Sequence, residues 1–282
     1  MNLKQVLQLF TVQLQDLYEE TEITSIFNIV AGHISGLNRA EVTFKKEDEL
    51  TKPVYDAYIK AMDELRTGVP MQYVLGETEF YGLPFNVSPS VLIPRPETEE
   101  LVEWIIEDYK LKEGLKFIDI GTGSGCIAIT LEKKLPGNVV FGLDVSKESL
   151  KIAVSNASLN NSDVIFTEAD IRTYCSREKF DVIVSNPPYI TLDEQEEMHQ
   201  NVFAHEPHLA LFVSNEKPLV FYEAIADFAM QSLKDGGLLY FEINEHLGKE
   251  TVEMLRNQAF SDIVLKKDMQ GKDRMVRCRL VR

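Results

Sequence analysis

The sequence predicts an α/β fold with a mostly parallel sheet, preceded by a small helical domain that a β-hairpin joins to it. Three observations support this prediction. Residues 2–68 show helical spacing of apolar side chains without a strand pattern, residues 79–93 combine apolar residues with Gly and Pro turns, and short apolar runs alternate with helical segments from residue 115 onward. Such alternation is typical of a sheet with helices on both faces.

The bulk composition narrows the class of protein. The chain has 282 residues, of which 44% are hydrophobic, and a formal net charge of -16. This length suits one domain plus a smaller partner domain. So acidic a chain gains little from neutralising phosphates, which argues against stable nucleic-acid binding and favours a basic or neutral protein partner, although the charge can also serve solubility alone. No apolar run approaches the ~18 residues of a membrane span, so no membrane partner is expected.

The cysteines and histidines predict neither a disulfide framework nor a metal site. Three cysteines, odd in number, lie far apart and fit a reducing cytoplasm: Cys126, Cys175 and Cys278. The protein is expected to be a monomer. His199, His205 and His208 cluster with Glu206. Pro207, however, interrupts the helical spacing that a zinc site uses, so no metal is predicted.

Residues 1–76 are predicted to form the helical domain, with Gly32, Gly36 and Gly68 at helix ends. Residues 77–93 form the predicted hairpin linker, and residues 94–282 form the second domain. Pro94 and Pro96 stiffen its first segment, and Pro96 suits the first position of a helix.

The second domain alternates strands and helices along its length. Strands are predicted at 116–120, 139–143, 164–166, 181–184 and 238–243, with a final antiparallel pair at 263–265 and 276–280. Helices are predicted at 126–134, 147–160 and 218–233. Ligands of such sheets bind outside the carboxyl ends of the strands, which is where candidate motifs must lie.

A glycine-rich loop follows the first of these strands: Gly121, Thr122, Gly123, Ser124 and Gly125. Glycine lets the backbone turn sharply and approach a ligand closely. The spacing differs from a dinucleotide fingerprint, and Asp119 just before the loop suits a cationic, amino-acid-like ligand better than a phosphate. The loop therefore indicates S-adenosylmethionine, which carries a sulfonium and an ammonium group, with a plain tight turn as the alternative.

Two acidic residues follow the next two strands. Asp144 lies about 20 residues beyond the loop, where a carboxylate can accept hydrogen bonds from ribose hydroxyls. Asp170 is placed to accept from an adenine amino group, and Ile171 to pack on the ring. Each acid alone could cap the next helix. The three strand ends together match the class I methyltransferase pattern.

The fourth strand leads into Asn186, Pro187, Pro188 and Tyr189. The prolines pin the loop, and the Asn186 side-chain oxygen and a proline carbonyl can both accept hydrogen bonds from one –NH₂ group. Tyr189 offers a flat face for a planar substrate. An amide nitrogen is a poor nucleophile, so two acceptors that align its lone pair with a methyl donor answer a specific need. A rigid surface turn is the alternative.

The segment Asn186–Tyr189 resembles the same segment of the amino-methyltransferases. Other motifs point to one family within that group. They resemble the release factor glutamine methyltransferase family, known as PrmC or HemK, at residues 70–73, Gly76, 80–82, 91–99, Glu206, Pro207, Ala210, Leu211 and, more loosely, 268–274. The resemblance spans nearly the whole chain and is weakest over the first sixty residues.

The resemblance implies a class I, Rossmann-like methyltransferase with a seven-stranded sheet. It implies methylation of the glutamine nitrogen in the Gly-Gly-Gln loop of peptide chain release factors. Gly121–Gly125, Asp144, Asp170, Ile171 and Asn186 would form the cofactor site, Asn186–Tyr189 would hold the substrate amide, and the helical domain would help bind the release factor.

Three alternatives remain open. A DNA adenine methyltransferase shares the chemistry of residues 186–189, but the chain is acidic and lacks a basic target-recognition region. A glutamine methyltransferase of a ribosomal protein is opposed only by the resemblance at residues 91–99. A non-catalytic binding module would have to retain all these donor-site residues without using them.

Overall fold

The computed structural model of the chain describes residues 1–197 and 200–281, without the side chains of residues 196, 197 and 200–202. The described residues form two compact units. One consists of Met1–Gly76 and a short segment ending at His205, and the other contains the remaining residues from Glu77 onward. No helix in the described ranges is long and apolar enough to cross a membrane.

The first unit is helical, as predicted. Its helices are α1 (Leu3–Leu14), α2 (Glu20–Ser35), α3 (Arg39–Phe44), α4 (Lys52–Arg66) and α5 (Met71–Leu75). Its core contains Phe10 edge-on to Phe27, with ring centroids 5.3 Å apart, and Tyr58 stacked on Phe27 at 5.7 Å. Asn2 caps α1 through a reciprocal pair of hydrogen bonds with Gln5, each 3.0 Å long. Packing and capping together therefore hold these short helices.

The second unit opens with a hairpin of β1 (Glu77–Phe80) and β2 (Leu83–Asn86), which pair antiparallel. Its two turn residues both have positive φ, 52° at Tyr81 and 73° at Gly82, the backbone that matches the twist of a tight hairpin. Phe80 and Phe85 are buried in the core of this unit. The predicted hairpin is confirmed, and the three-part division at 76 and 93 stays a prediction.

The rest of the second unit alternates strands and helices. In chain order they are α6 (Pro96–Tyr109), β3 (Lys116–Ile120), α7 (Cys126–Lys134), β4 (Val139–Asp144), α8 (Lys147–Leu159), β5 (Ile165–Glu168), β6 (Phe180–Ser185), β7 (Ile190–Thr191), a 3₁₀ turn (Asp193–Glu197), α9 (Gln200–His205, part of the first unit), α10 (His208–Leu211), β8 (Phe212–Val213), α11 (Val220–Ser232), β9 (Leu233–Glu242), α12 (Gly248–Asn257), β10 (Phe260–Lys267) and β11 (Asp273–Leu280).

The described strands of the second unit include a seven-stranded sheet in the order β10-β11-β9-β6-β3-β4-β5. Neighbours from β9 to β5 are parallel, and β11 runs antiparallel to both β9 and β10. The strand order reverses between β3 and β6, because β4 and β5 extend the sheet on one side and β9 on the other. In sheets of this kind the crevice at such a reversal is the binding site.

Several details differ from the sequence prediction: the hairpin strands end at Asn86 rather than near residue 93, α12 was not predicted, and β5, β10 and β11 are longer than predicted. Three further differences have a physical explanation. Strand β9 begins at Leu233 rather than at residue 238, because a register shift between Phe180 and Val182 of β6 accommodates the Gly-Gly pair that resembles a turn in sequence. Gly32 lies inside α2, where its neighbours Val30 and Ala31 are buried. Core packing there outweighs the ~1 kcal/mol helix penalty of one glycine. The two-residue strands β7 and β8 were not predicted, because such short strands have no periodicity.

Candidate active site

A cavity of about 250 Å³ opens at the carboxyl ends of β3, β4 and β6. Its described lining includes ten of the twelve predicted site residues: Gly121, Thr122, Gly123, Ser124, Asp144, Asp170, Ile171, Asn186, Pro187 and Pro188. Apolar side chains complete the walls, among them Leu143 and Ile225. The parallel topology thus brings three separate sequence motifs together in one place.

The glycine loop is held against the end of β4 by its own backbone. The N–H groups of Gly121 and Thr122 both donate to the Leu143 carbonyl, at 2.8 and 2.9 Å. The N–H of Gly123 donates to Asp144 Oδ2 at 2.9 Å. Gly123 has a φ of 54°, in the left-handed region that glycine adopts without strain. The loop is therefore rigid and presents backbone to the cavity.

Gly125 is the first predicted site residue that does not line the cavity. It precedes α7 with a φ of 81°, and a Cβ there would come within 3.0 Å of Ile129 Cδ1 and 3.3 Å of Ala153 Cβ. This glycine permits close packing of the loop on α7 and α8. The structure does not bring it to the cavity wall, where the sequence placed it.

Asp119 lies behind the loop and is fully buried. Its Oδ2 accepts a hydrogen bond from the Thr122 hydroxyl at 2.6 Å. The pKa of the Asp119 carboxyl is raised to about 7, chiefly by burial and also by the nearby Asp144, while the Thr122 hydrogen bond opposes the rise. Asp119 thus supports the loop from within.

The two acids at the cavity have different surroundings. Asp144 is buried and accepts from the N–H groups of Gly123 and Ser146; burial raises the pKa of its carboxyl, and these hydrogen bonds lower it. Asp170 is partly exposed, and Arg172 Nη2 donates to its Oδ2 at 2.6 Å. The hydrogen bond from Arg172 lowers the pKa of the Asp170 carboxyl. Carboxylate acceptors therefore stand at two strand ends beside the apolar Ile171.

Asn186 follows β6, is partly buried and lines the cavity. Its Nδ2 donates to the Thr98 hydroxyl at 3.2 Å. Its carbonyl oxygen Oδ1 receives no hydrogen bond from any residue that the structure describes. The preceding Ser185 donates to the Ile120 carbonyl at 2.6 Å and so ties β6 to β3 beside the loop. An amide acceptor is thereby fixed in the same cavity as the glycine loop.

Tyr189 is the second predicted residue that does not line the cavity. Its hydroxyl donates to Glu242 Oε1 at 3.1 Å, and burial raises the pKa of that hydroxyl. Its carbonyl accepts from Asn244 Nδ2 at 3.1 Å. In this structure Tyr189 anchors the end of the loop, and its contact with the substrate stays a prediction.

Sequence reasoning missed two buried groups next to Asn186. Thr98 and Glu242 are 3% and 1% exposed, and the Thr98 hydroxyl donates to Glu242 Oε2 at 2.7 Å. Thr98 belongs to residues 91–99, which support only the family resemblance, and Glu242 lies inside the strand predicted at 238–243. The one signal that could have found Glu242 is an acid at the end of an apolar strand, where burial demands a partner.

The buried carboxylate of Glu206 binds two groups at the cavity wall. Glu206 is 3% exposed, and its Oε1 accepts from Arg95 Nη2 at 2.5 Å. Its Oε2 accepts from the N–H of Ile93 at 3.3 Å. Arg95 and the neighbouring Pro207 both line the cavity. In the sequence, Arg95 and Glu206 belong to two separate stretches that support the family resemblance, and nothing in the sequence pairs them.

The expectation that the chain holds no metal stays a prediction. In the ranges that the structure describes, no group of three or more His, Cys, Asp or Glu side chains could hold a metal ion. His199, part of the cluster considered in the sequence, lies outside the described residues.

Comparisons with known proteins agree with this geometry. Residues 5–76 match the PrmC N-terminal domain, and residues 98–211 match the Methyltransferase small domain. The chain is 47% identical over 272 residues to the release factor glutamine methyltransferase of Flavobacterium psychrophilum, which covers 95% of each chain. It is 39% identical to the protein of the same name from Bacteroides thetaiotaomicron, over 93% of this chain and 95% of that one.

A solved structure shows that the fold is shared more widely. A methyltransferase from Pyrococcus furiosus matches with a TM-score of 0.53 at 19% identity, over 72% of this chain and 91% of that chain. This likeness confirms the predicted methyltransferase fold of the second unit.

Proposed function

The chain belongs to the release factor glutamine methyltransferase family, and on that premise we propose its reaction. It transfers a methyl group from S-adenosylmethionine to the side-chain amide nitrogen of the glutamine in the Gly-Gly-Gln loop of peptide chain release factors. One observation carries this proposal: the Asn186 amide lines the same cavity as the Gly121–Ser124 loop.

The chemistry of the cavity fits S-adenosylmethionine, which supplies an electrophilic methyl group when bound. Asp144 suits the ribose hydroxyls because a buried carboxylate accepts hydrogen bonds strongly. Asp170 and Ile171 offer an acceptor and an apolar surface for an adenine ring. The rigid backbone of Gly121–Ser124 leaves room for close approach of the amino-acid portion, and the two carboxylates favour a cation.

The residues after β6 suit a glutamine amide. Asn186 Oδ1 and the Pro187 carbonyl accept the two hydrogens of the amide –NH₂ group. Held in this way, the nitrogen is favoured in a pyramidal geometry in which its lone pair leaves conjugation with the carbonyl. Catalysis then depends on position and on fixed dipoles rather than on a general base, because the proton can leave the nitrogen after methyl transfer.

The remaining parts of the proposal concern the partner and the compartment. We assign binding of the release factor in part to the helical unit, whose residues 5–76 match a domain named for this family. The three cysteines are free, which suits the reducing cytoplasm where translation factors act. The protein is proposed to work as a monomer.

The proposal is tested with S-adenosylmethionine that carries a tritiated methyl group. Transfer to a purified release factor is measured beside transfer to the same factor with its Gly-Gly-Gln glutamine replaced by Ala. Label should enter the first and not the second. Equal labelling of both would show that another atom accepts the methyl group.

A further inference from the structure

A buried chain of hydrogen bonds begins at the side-chain amide of Asn186 and leads away from the cavity. Asn186 Nδ2 donates to Thr98 Oγ1, and Thr98 Oγ1 donates to Glu242 Oε2. The other oxygen of Glu242 accepts from the Tyr189 hydroxyl. The chain joins three elements, since Thr98 lies in the first turn of α6, Glu242 ends β9, and Asn186 and Tyr189 follow β6.

The chemistry of these groups gives the chain a direction. An ionised carboxylate only accepts hydrogen bonds, so the Thr98 hydroxyl must give its single proton to Glu242. The Thr98 oxygen then has only lone pairs left for Asn186. An acceptor can be met only by the –NH₂ end of the Asn186 amide, which leaves the carbonyl end for the cavity.

Each oxygen of Glu242 meets a donor, Thr98 at Oε2 and Tyr189 at Oε1. Burial raises the pKa of the Glu242 carboxyl above its ordinary value, and the hydrogen bonds from Thr98 and Tyr189 and the positive charge of Arg274 oppose this rise and favour the ionised, accepting form. The Tyr189 hydroxyl, whose pKa burial raises, keeps its proton and donates it to Glu242 Oε1 at 3.1 Å.

We propose that Thr98 and Glu242 are positioning residues that set which end of the Asn186 amide faces the substrate. This inference rests on the proposed function, because only a substrate with an –NH₂ group makes the choice matter. The two ends of an Asn side chain have nearly the same shape, so packing alone does not distinguish them. With the amide turned the other way, two –NH₂ donors would face each other and the nucleophile would lose an acceptor.

The first test separates the Thr98 hydroxyl from the shape of its side chain. Thr98→Val removes the hydroxyl at nearly constant volume, and Thr98→Ser keeps it. We expect kcat to fall about ten- to a hundredfold in Thr98→Val, the scale of one misplaced hydrogen bond at a reacting atom. Thr98→Ser should keep kcat within a few-fold of the wild type, and the Kd of S-adenosylmethionine should stay unchanged in both.

Thr251 provides a matched control. It is fully buried, lies in α12, and its hydroxyl donates to the Leu247 carbonyl at 2.8 Å. Thr251→Val therefore removes a buried, hydrogen-bonded hydroxyl away from the cavity lining. It should change the melting temperature about as much as Thr98→Val does while leaving kcat intact.

Glu242→Gln tests the direction of the chain. The Gln side chain offers one acceptor and one donor in place of two acceptors. Wherever its –NH₂ group faces Thr98, the Thr98 hydroxyl donates toward Asn186, which reverses the amide. We therefore expect kcat to fall below that of the wild type. In Thr98→Val the hydroxyl that carries this effect is gone, so adding Glu242→Gln there should lower kcat no further.

The outcomes distinguish failure of the proposed function from failure of the positioning role of Thr98 and Glu242. If the wild type labels no release factor, the proposed function fails before orientation is tested. If the wild type is active and Thr98→Val matches Thr251→Val in kcat, the positioning role is wrong and the function stands. Losses that multiply in the double variant, or a Thr98→Ser variant as impaired as Thr98→Val, would also overturn the inference.

Discussion

At the scale of single residues, Asn186 connects the backbone geometry of β6 to the chemistry of the cavity. Its –NH₂ end is bound to Thr98, and its carbonyl end receives no hydrogen bond among the described residues. A fixed acceptor of this kind stabilises a nitrogen that is becoming positively charged, and it needs no reorganisation during the reaction.

Replacing Asn186 by Ala should therefore abolish most turnover and leave the binding of S-adenosylmethionine intact. We expect kcat for the release factor to fall at least about a hundredfold, as for the loss of a fixed dipole at a reacting centre. The Kd of S-adenosylmethionine, measured by calorimetry, should change little. Asn138→Ala is the control, because the Asn138 amide is hydrogen-bonded to Leu115, Leu135 and Lys112 near the start of β3. Turnover of Asn186→Ala at the Asn138→Ala rate would contradict the role of the amide.

Asp144 is expected to act on binding rather than on the chemical step. Asp144→Ala removes the carboxylate proposed for the ribose and the acceptor of the Gly123 N–H. The Kd of S-adenosylmethionine should rise at least about tenfold, the scale of a hydrogen bond to a charged group. A Kd equal to that of the wild type would remove the ribose assignment.

The raised pKa of the buried Asp119 carboxyl implies that the stability of the protein depends on pH. Its pKa of about 7 in the folded protein lies above the ~3.9 of an unfolded chain. The folded state therefore keeps a proton that the unfolded state releases, so this stabilisation is full below ~pH 4 and is lost as the pH rises through about 7. From pH 4 to 8, the free energy of unfolding of the wild type should fall more than that of Asp119→Asn, by up to about 4 kcal/mol.

Urea unfolding at several pH values measures this difference. Asp227→Asn, which changes an exposed carboxyl, should follow the wild type. Parallel pH curves for the wild type and Asp119→Asn would show that the buried carboxyl titrates no differently in the folded protein.

The positions of residues inside a sequence motif could be predicted, but the residues that bind them from distant parts of the chain could not. Asn186 follows a readable strand, so its position was evident from sequence. Thr98 lies 88 residues from Asn186 and 144 from Glu242. Only the packing of α6 against the carboxyl ends of β6 and β9 brings these three side chains together, and no local pattern records that packing. The contact between Tyr189 and Glu242 was equally invisible in the sequence, and the substrate role of Tyr189 stays a prediction.

At the scale of elements, the segment that begins at Glu206 is fixed to the turn before α6. Glu206 accepts from both the Arg95 guanidinium and the Ile93 N–H. The side chain of Glu206 is 1% exposed and that of Arg95 is 33% exposed. Removal of the carboxylate leaves a buried N–H and a half-buried cation without their acceptor.

We expect Glu206→Ala to lower the free energy of unfolding by about 2–3 kcal/mol, the scale of a broken, largely buried ion pair. In Arg95→Met the cation is gone, so adding Glu206→Ala there should be less harmful than in the wild type. A double-mutant cycle by urea unfolding measures this coupling. Strictly additive losses would mean that the two side chains do not stabilise each other.

Several elements of the second unit could be predicted nearly to their ends, although α12 was not predicted. The prediction at 116–120 coincides with β3 and that at 126–134 with α7. Strand β9 was predicted five residues short of its start, because a Gly-Gly pair inside a strand and one inside a turn look alike in sequence. Strands β7 and β8 pair through Ile190 with Phe212 and Thr191 with Val213, a contact made by chain topology rather than by local preference.

At the scale of the whole molecule, function follows from strand order. The reversal between β3 and β6 places the loop after one strand beside the tetrapeptide after the other. A parallel sheet ensures that both motifs lie at the same edge. The sequence could predict this meeting, because class I topology follows from the alternation of strands and helices. It could not predict the part of the cavity wall that Pro207, Leu209 and Ala210 contribute, which depends on the Glu206 contact.

The most direct test of the central claim is tandem mass spectrometry of a purified release factor after incubation with this protein and S-adenosylmethionine. The Gly-Gly-Gln glutamine should gain ~14 Da, for one hydrogen replaced by a methyl group, and the gain should depend on Asn186. Absence of that gain, while calorimetry shows the cofactor bound, would contradict the assignment of the release factor as substrate. Methylation at any other atom of the factor would contradict the assignment of the glutamine nitrogen.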